Sequence, residues 1–191
     1  MKFRGRIGPD AQDDKHIRIL NRVVQWTEEG IEYEADQRHA EIIVSKLGLE
    51  KDSKGVSTPG CKREWDPSEE SELDPRDATI YRALAARGNY LSQDRSDIQF
   101  AVKEICRGMS NPTEGDWAAL KRLGRYLVDK SRVIVKFPYQ EVVKKMEVWV
   151  DTDYAGCKRT RKSTSGGVVM LGHHAKKSLE YHAGGNSTIF G

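Results

Sequence analysis

A chain of 191 residues, 37% hydrophobic and 32% charged, is long enough for one large or two small domains with a buried core, but it leaves much of itself at the surface. Its net charge of +3 is uneven: residues 1–70 hold 12 Lys/Arg against 15 Asp/Glu and residues 71–191 hold 20 against 14, so the second half is the one suited to nucleic acid. Apolar runs of a few residues, against the roughly 20 a membrane helix needs, exclude a membrane span and a signal peptide, and the three scattered cysteines Cys61, Cys106 and Cys157 exclude a disulfide framework or a zinc site, which together point inside the cell, to cytoplasm or nucleus.

Residues 1–16 read as irregular, with Gly5, Gly8, Pro9 and three aspartates. From His16 to Trp26 the alternation of Ile17 and Ile19 with Val23 and Val24 following, the turn Glu28-Glu29-Gly30, and Ile31 to Glu34 together predict a hairpin. Asp36 can cap a helix whose apolar positions Ala40, Ile43, Val44 and Leu47 recur at helical spacing and stop at Gly48. Residues 61–76 hold acidic residues and two Asp-Pro pairs without periodicity, which predicts a tether or boundary.

Three helices are expected next. Asp77 opens the first, running to Leu91 with Tyr81, Leu84 and Ala85 on its apolar side and Gly88 weakening its interior. Ser96 or Asp97 opens the second, with the stripe Ile98, Ala101, Val102, Ile105 and Met109. Thr113, with Asp116 in the first turn, opens the third; Trp117, Leu120, Leu123 and Leu127 form its apolar side, and Gly124 among them allows a neighbouring element to approach closely. Such stripes, Trp117 included, are the signature of core packing more than of base stacking. Arg82, Arg87, Arg95, Lys121, Arg122 and Arg125 are spread over these helices, as on solvated helix faces.

The most informative stretch runs from Met146 to Gly172. Met146, Val148, Trp149 and Val150 suit a buried strand that delivers Asp151 and Asp153 at its end, two residues apart and so on one face. In a half-buried site both carboxylates stay ionised only beside a cation or strong donors, and Mg2+ is the ion that prefers such oxygens. On spacing alone, exposed turn aspartates of an ordinary hairpin are an equal alternative. A basic loop, Lys158, Arg159, Arg161 and Lys162, leads through Ser-Thr-Ser-Gly-Gly to a second apolar strand, Val168 to Leu171. His173, His174 and His182 fit turn or surface roles, because adjacent histidines on a strand point to opposite faces.

The blocks Asp151 to Gly156 and Arg161 to Gly166 resemble the start of the ribonuclease H domain of copia-type retrotransposon Pol polyproteins. Upstream, Tyr81-Arg82, Tyr90-Leu91, Arg95, Asp97-Ile98, Ala101-Val102, Met109 to Pro112 and Trp117 through Arg125-Tyr126-Leu127 are similar, in order and spacing, to the segment joining polymerase to ribonuclease H in that family. The usual Arg-Pro-Asp reads Arg95-Ser96-Asp97, and the glycine expected in the first helix is Ala86. The resemblance covers roughly residues 17–178 and implies an α+β chain: a reverse transcriptase C-terminal remnant over 1–60, a linker over 61–76, a helical connection block over 77–138 and a truncated ribonuclease H-like domain over 143–191.

The resemblance further implies RNA-directed DNA synthesis and cleavage of RNA:DNA hybrids as the parent activity, Asp151 as the first metal-binding aspartate with Asp153 beside it, Mg2+ as cofactor, and nucleic acid contacted by the 158–162 loop. The paired polymerase aspartates of the family are missing from this sequence. Beyond Asp153 the sequence has one acid, Glu180, expected on a third strand that begins near Lys176-Lys177-Ser178, while the tail from Tyr181 departs from the family as a frame change or truncation would. Weak or no Mg2+ binding and an inactive chain follow, with a non-enzymatic nucleic-acid-binding remnant or a functionless gene fragment as the alternatives. Expected partners are an RNA:DNA hybrid, the rest of the polyprotein or an intact relative, and no membrane. A sheet that stops after its third strand would leave Val148, Val150, Val168 and Met170 partly exposed.

Overall fold

The structure, a computed structural model, describes residues 5–49, 53–61, 70–154 and 163–182, with 176–182 described by backbone alone. It is mixed helix and sheet: strands β1 (His16–Ile19), β2 (Arg22–Trp26) and β3 (Gly30–Glu34), helices α1 (Gln37–Lys46), α2 (Pro75–Ser92), α3 (Gln99–Arg107) and α4 (Glu114–Asp129), then β4 (Ile134–Pro138), β5 (Met146–Thr152), β6 (Thr164–Leu171) and β7 (His174–His182). These form two units, Met1–Tyr139 and Gln140–Gly191.

In the first unit the sheet runs β1-β2-β3-β4, antiparallel throughout. The expected single hairpin is in fact a meander: Leu20 and Asn21, both at positive φ (49° and 63°), turn β1 directly into β2 as a two-residue connection does. Thr27 then closes the β2–β3 turn, its N–H and hydroxyl both donating to the Gly30 carbonyl at 2.8 and 2.9 Å. The fourth strand corrects the sequence reading, which put residues 134–138 inside the helical block. β4 pairs with β3 from Gly30↔Pro138 to Glu34↔Ile134. A strand whose partner residues lie 100 or more positions upstream carries no local pairing signal.

The helices begin and end where their chemistry allows. Asp36 caps α1, accepting from the Arg38 N–H at 3.1 Å, and Gly48 at φ +65° ends it. Gly48 N–H reaches Ser45 O and Leu49 N–H reaches Val44 O, both at 3.1 Å, which satisfies the last carbonyls in a Schellman turn. Thr113 caps α4 as expected, and with Asp116 it forms a capping box. The cap of α2 is Asp74, not Asp77: its carboxylate accepts from Arg76 and Asp77 N–H groups, and Pro75 occupies N1, where no N–H is needed. The expected tether therefore ends in ordered chain, with Leu73 in the core; residues 62–69 of it lie outside the described residues. Ser96–Ile98 is a 3-10 turn and α3 begins at Gln99, because the Asp97 carboxylate is held by Arg95 and caps nothing.

One apolar core joins the four helices, with Ile43, Tyr81, Leu84, Leu91, Val102, Ile105, Leu120, Leu123 and Leu127 fully buried. Trp117 packs against it, as expected of a core stripe. The buried Tyr81 hydroxyl donates to Ile105 O at 2.5 Å, so the ring crosses the core without stranding its polar end. Gly124 does what the sequence suggested: a Cβ there would stand 2.6 and 2.7 Å from the Cδ1 atoms of Leu47 and Leu49, the two leucines that flank the α1 stop.

Candidate functional site

In the second unit β5 and β6 pair antiparallel from Met146↔Leu171 to Thr152↔Ser165, and β6 pairs with β7. The two-residue turn between β6 and β7 has Gly172 at φ +61°. Gln140 clamps that turn: its amide nitrogen Nε2 donates to Leu171 O at 3.0 Å and meets His174 Nδ1 at 3.2 Å, and its Oε1 accepts from His173 N–H at 2.9 Å.

Asp151 is the penultimate residue of β5, opposite Gly166, and Asp153 follows the strand at the mouth of the hairpin. Asp151 Oδ1 accepts from the Thr152 N–H at 2.9 Å. Asp153 donates its N–H to Thr164 O at 3.0 Å, and its Oδ1 accepts from the Thr164 N–H. Thr152 and Ser165 hydroxyls bond across the pair at 3.1 Å. Both aspartates are exposed, as in the exposed-turn alternative and not in a half-buried site. Water, with these backbone donors, disposes of their mutual repulsion. The strand itself is bare too, since Val148 and Val150 are exposed and Val168 and Met170 only half-buried, as expected of so short a sheet.

The donor set fits one hydrated Mg2+, which keeps most of its waters and takes one or two carboxylates. Among the described residues no group of three or more His, Cys, Asp or Glu converges as a metal cage would require. Glu180 does lie on the third strand, and its backbone stands in line with Asp151 across Gly166, in the row Asp151↔Gly166↔Glu180. The basic residues Lys158, Arg159, Arg161 and Lys162 lie outside the described residues, as does the tail from 183 onward.

Four arginines of the helical block, Arg82, Arg95, Arg122 and Arg125, are tied to other segments. Arg95 is buried, holding Asp97 through Nε and Nη2 at 2.8 and 2.7 Å and donating through Nη1 to Lys130 O at 3.0 Å. Tyr126 completes this cluster, its hydroxyl donating to Asp97 Oδ2 at 2.9 Å. Arg82 donates to Met109 O, Arg122 to Thr58 Oγ1 and Arg125 to Lys54 O, at 2.8, 2.8 and 3.0 Å. Each ties two distant segments together.

A second polar cluster went unread in the sequence. Asp94, just past α2, accepts from Arg22 Nε at 2.6 Å and from the Tyr33 hydroxyl at 2.7 Å, joining sheet to helix. Burial and the Asp94 charge push the Tyr33 phenol up to about 12. Arg22 lies over the Tyr90 ring at 5.2 Å, and His39 stacks on the same ring at 4.7 Å. Burial pulls the His39 imidazole below its usual value, Asp36 opposes this, and the charges of Arg87, Arg38 and Arg22 lower it further. Residues so far apart in sequence leave no pattern that would have revealed them.

No protein-family model matches the chain, and no solved structure does. Curated proteins do, and they define the class: the chain is related to the Pol polyproteins of retrotransposons, as its two motif blocks indicated. It is 35% identical over 138 residues, 71% of this chain, to AtMg00810, an uncharacterized mitochondrial protein of Arabidopsis thaliana. It is 37% and 35% identical over 98 residues, 51% of this chain, to the retrovirus-related Pol polyproteins from transposons RE1 and RE2 of the same plant. The chain spans 55% of the mitochondrial protein and 7% of each Pol polyprotein. These matches support a retroelement polyprotein origin.

Proposed function

We propose that the chain is the post-polymerase and early ribonuclease H region of a copia-type Pol polyprotein, whose parent makes DNA on an RNA template and cleaves the RNA strand of the hybrid, and that this chain alone does neither. The observation that supports the nuclease origin best is the β5/β6 hairpin, which brings Asp151 and Asp153 to one strand end with Gly166 opposite Asp151. Asp151 and Asp153 would hold one hydrated Mg2+, which when bound supplies an acidified water and positive charge for a phosphodiester oxygen. The Thr152 and Thr164 N–H groups orient the two carboxylates toward that end of the hairpin. Two-ion hydrolysis needs further carboxylates around ions about 4 Å apart, and these would come from the rest of the polyprotein or an intact relative. Lys158, Arg159, Arg161 and Lys162 would meet the hybrid's phosphates. The clamping of Arg82, Arg122 and Arg125 within the helical block leaves that loop as the better candidate.

The test joins the full chain, in cis, to the acid-bearing segment of an intact relative. Mg2+-dependent cleavage of a labelled RNA:DNA hybrid is expected in the fusion, lost in its Asp151→Asn variant, and no cleavage or primer extension is expected from the 191-residue chain. Primer extension by the chain, or cleavage that disappears in Asp151→Asn of the unfused chain, overturns the proposal. Reversing the four loop charges to glutamate should weaken hybrid binding and flatten its salt dependence, since fewer counterions are released. Binding that is unaffected removes the loop from the reading.

A further inference from the structure

β5 has one hydrogen-bonded neighbour among the described residues, so its other edge presents backbone N–H and C=O groups to solvent. Its side chains are bare as well: Met146 is 64% exposed, Val148 58%, Trp149 66% and Val150 79%. Protected edges carry a proline, a bulge or crowded charge, and β5 has neither of the first two; the irregularity of this sheet lies in the β6–β7 pairing, at Val169/Met170.

We propose that this edge pairs with the same edge of a second copy of the chain, antiparallel, about a two-fold axis at Val148. Symmetry and charge select that register. A two-fold axis normal to the sheet keeps every side chain on its own face, so the axis must pass through a residue position, and Val148, Trp149 and Val150 are the central ones. An axis at Trp149 sets Glu147 opposite Asp151 of the second copy, twice, so that its two Lys145–Asp153 pairs are offset by like charges nearer the centre. An axis at Val150 sets Glu147 opposite Asp153, again like against like. With the axis at Val148, Lys145 faces Asp151 at both ends, Met146 faces Val150, and Val148 faces itself. Met146, Val148 and Val150 of the two copies then line the middle of one face of the seam, and the other face carries the Lys145–Asp151 pairs at its ends with Glu147 opposite Trp149 between them. Lys145, the residue before β5, is 80% exposed; its ammonium is 2.5 Å from Glu147 of its own chain, and in the dimer it would be shared between Glu147 and Asp151 of the second copy. The inference stands on the strand alone and does not depend on the nuclease reading.

The experiment is sedimentation equilibrium of the full 191-residue chain, with Lys145→Asp, Asp151→Lys and the double variant, each checked by circular dichroism for retained strand content. Within one chain the two residues are about 20 Å apart along the strand, so they do not interact there. Each single reversal creates two like-charge pairs by symmetry and should raise the dimer dissociation constant about tenfold, and the double variant should restore it. As an independent readout, Val148→Cys should give a disulfide-linked dimer on oxidation, whereas Met146→Cys, about 13 Å from its own copy, should not exceed the background of the native thiols. A wild-type chain that stays monomeric, single reversals without effect, a double variant that fails to recover, or equal crosslinking at 146 and 148 each overturns the proposal.

Discussion

Arg95 is the largest of the fully buried side chains, 2% exposed, and its guanidinium is satisfied by Asp97 and the Lys130 carbonyl. Burial would push the Asp97 carboxyl up, but the Arg95 hydrogen bonds and charge, with the Tyr126 hydroxyl, outweigh it and hold the group below the usual carboxylate range. A carboxylate depressed in the folded state stabilises fully above its unfolded value near pH 4, and that contribution fades as the pH falls through the lower folded value. Asp97→Asn removes the charge opposite a buried guanidinium and should cost about 3 kcal/mol at neutral pH. Urea unfolding of both proteins at pH 7 and pH 3 checks this: the gap should narrow in acid, and an equal gap at both values would show that packing, not charge, is what Asp97 supplies. Sequence reading had Arg95 among solvated charges, because nothing in Arg-Ser-Asp states that the chain folds back over it.

At the level of elements, caps were legible and pairings were not. Asp36, Thr113 with Asp116, and Gly48 act through hydrogen bonds to backbone a few residues away, so their chemistry is local and readable. Two helix starts were misplaced: Asp77 for Asp74, from treating Asp-Pro as linker when proline was at N1, and Ser96 or Asp97 for Gln99, because Arg95 holds the Asp97 carboxylate. β4 could not be found this way, since its hydrogen bonds are to β3 and its ion pairs are Arg132 with Glu34 and Lys136 with Glu32. Those pairs are exposed and contribute little. The close approach at Gly30 matters more, for a Cβ there would stand 2.2 Å from Phe137 O and 2.7 Å from Pro138 Cα, both backbone. Gly30→Ala should therefore destabilise by about 2 kcal/mol or more. Gly124→Ala, facing only the tips of Leu47 and Leu49, should stay within about 1 kcal/mol, because the helix gains propensity as the leucines shift. Thermal unfolding of the two variants decides it, and equal losses would mean that the β3–β4 contact yields as easily as a side chain does.

Among the described residues the buried apolar ones all belong to the first unit, while the described side chains of β5 and β6 are half-buried at best. A protein ending at Tyr139 should keep the main cooperative unfolding transition of the full chain within a few degrees, since the core it needs is intact. Loss of that transition in calorimetry would mean that the first unit relies on residues beyond 139. The sequence by itself determined the kinship with retrotransposon Pol polyproteins, the helical stripes and the strand that carries Asp151, because each is written in contiguous residues whose order is their meaning. Only the tertiary structure decided that Arg95 is interior, that Arg82, Arg122 and Arg125 are clamps, that β4 closes the first sheet, and that Asp151 and Asp153 meet water. Burial and long-range pairing depend on which surfaces the chain brings together, and that is a property of the fold and of no single stretch within it.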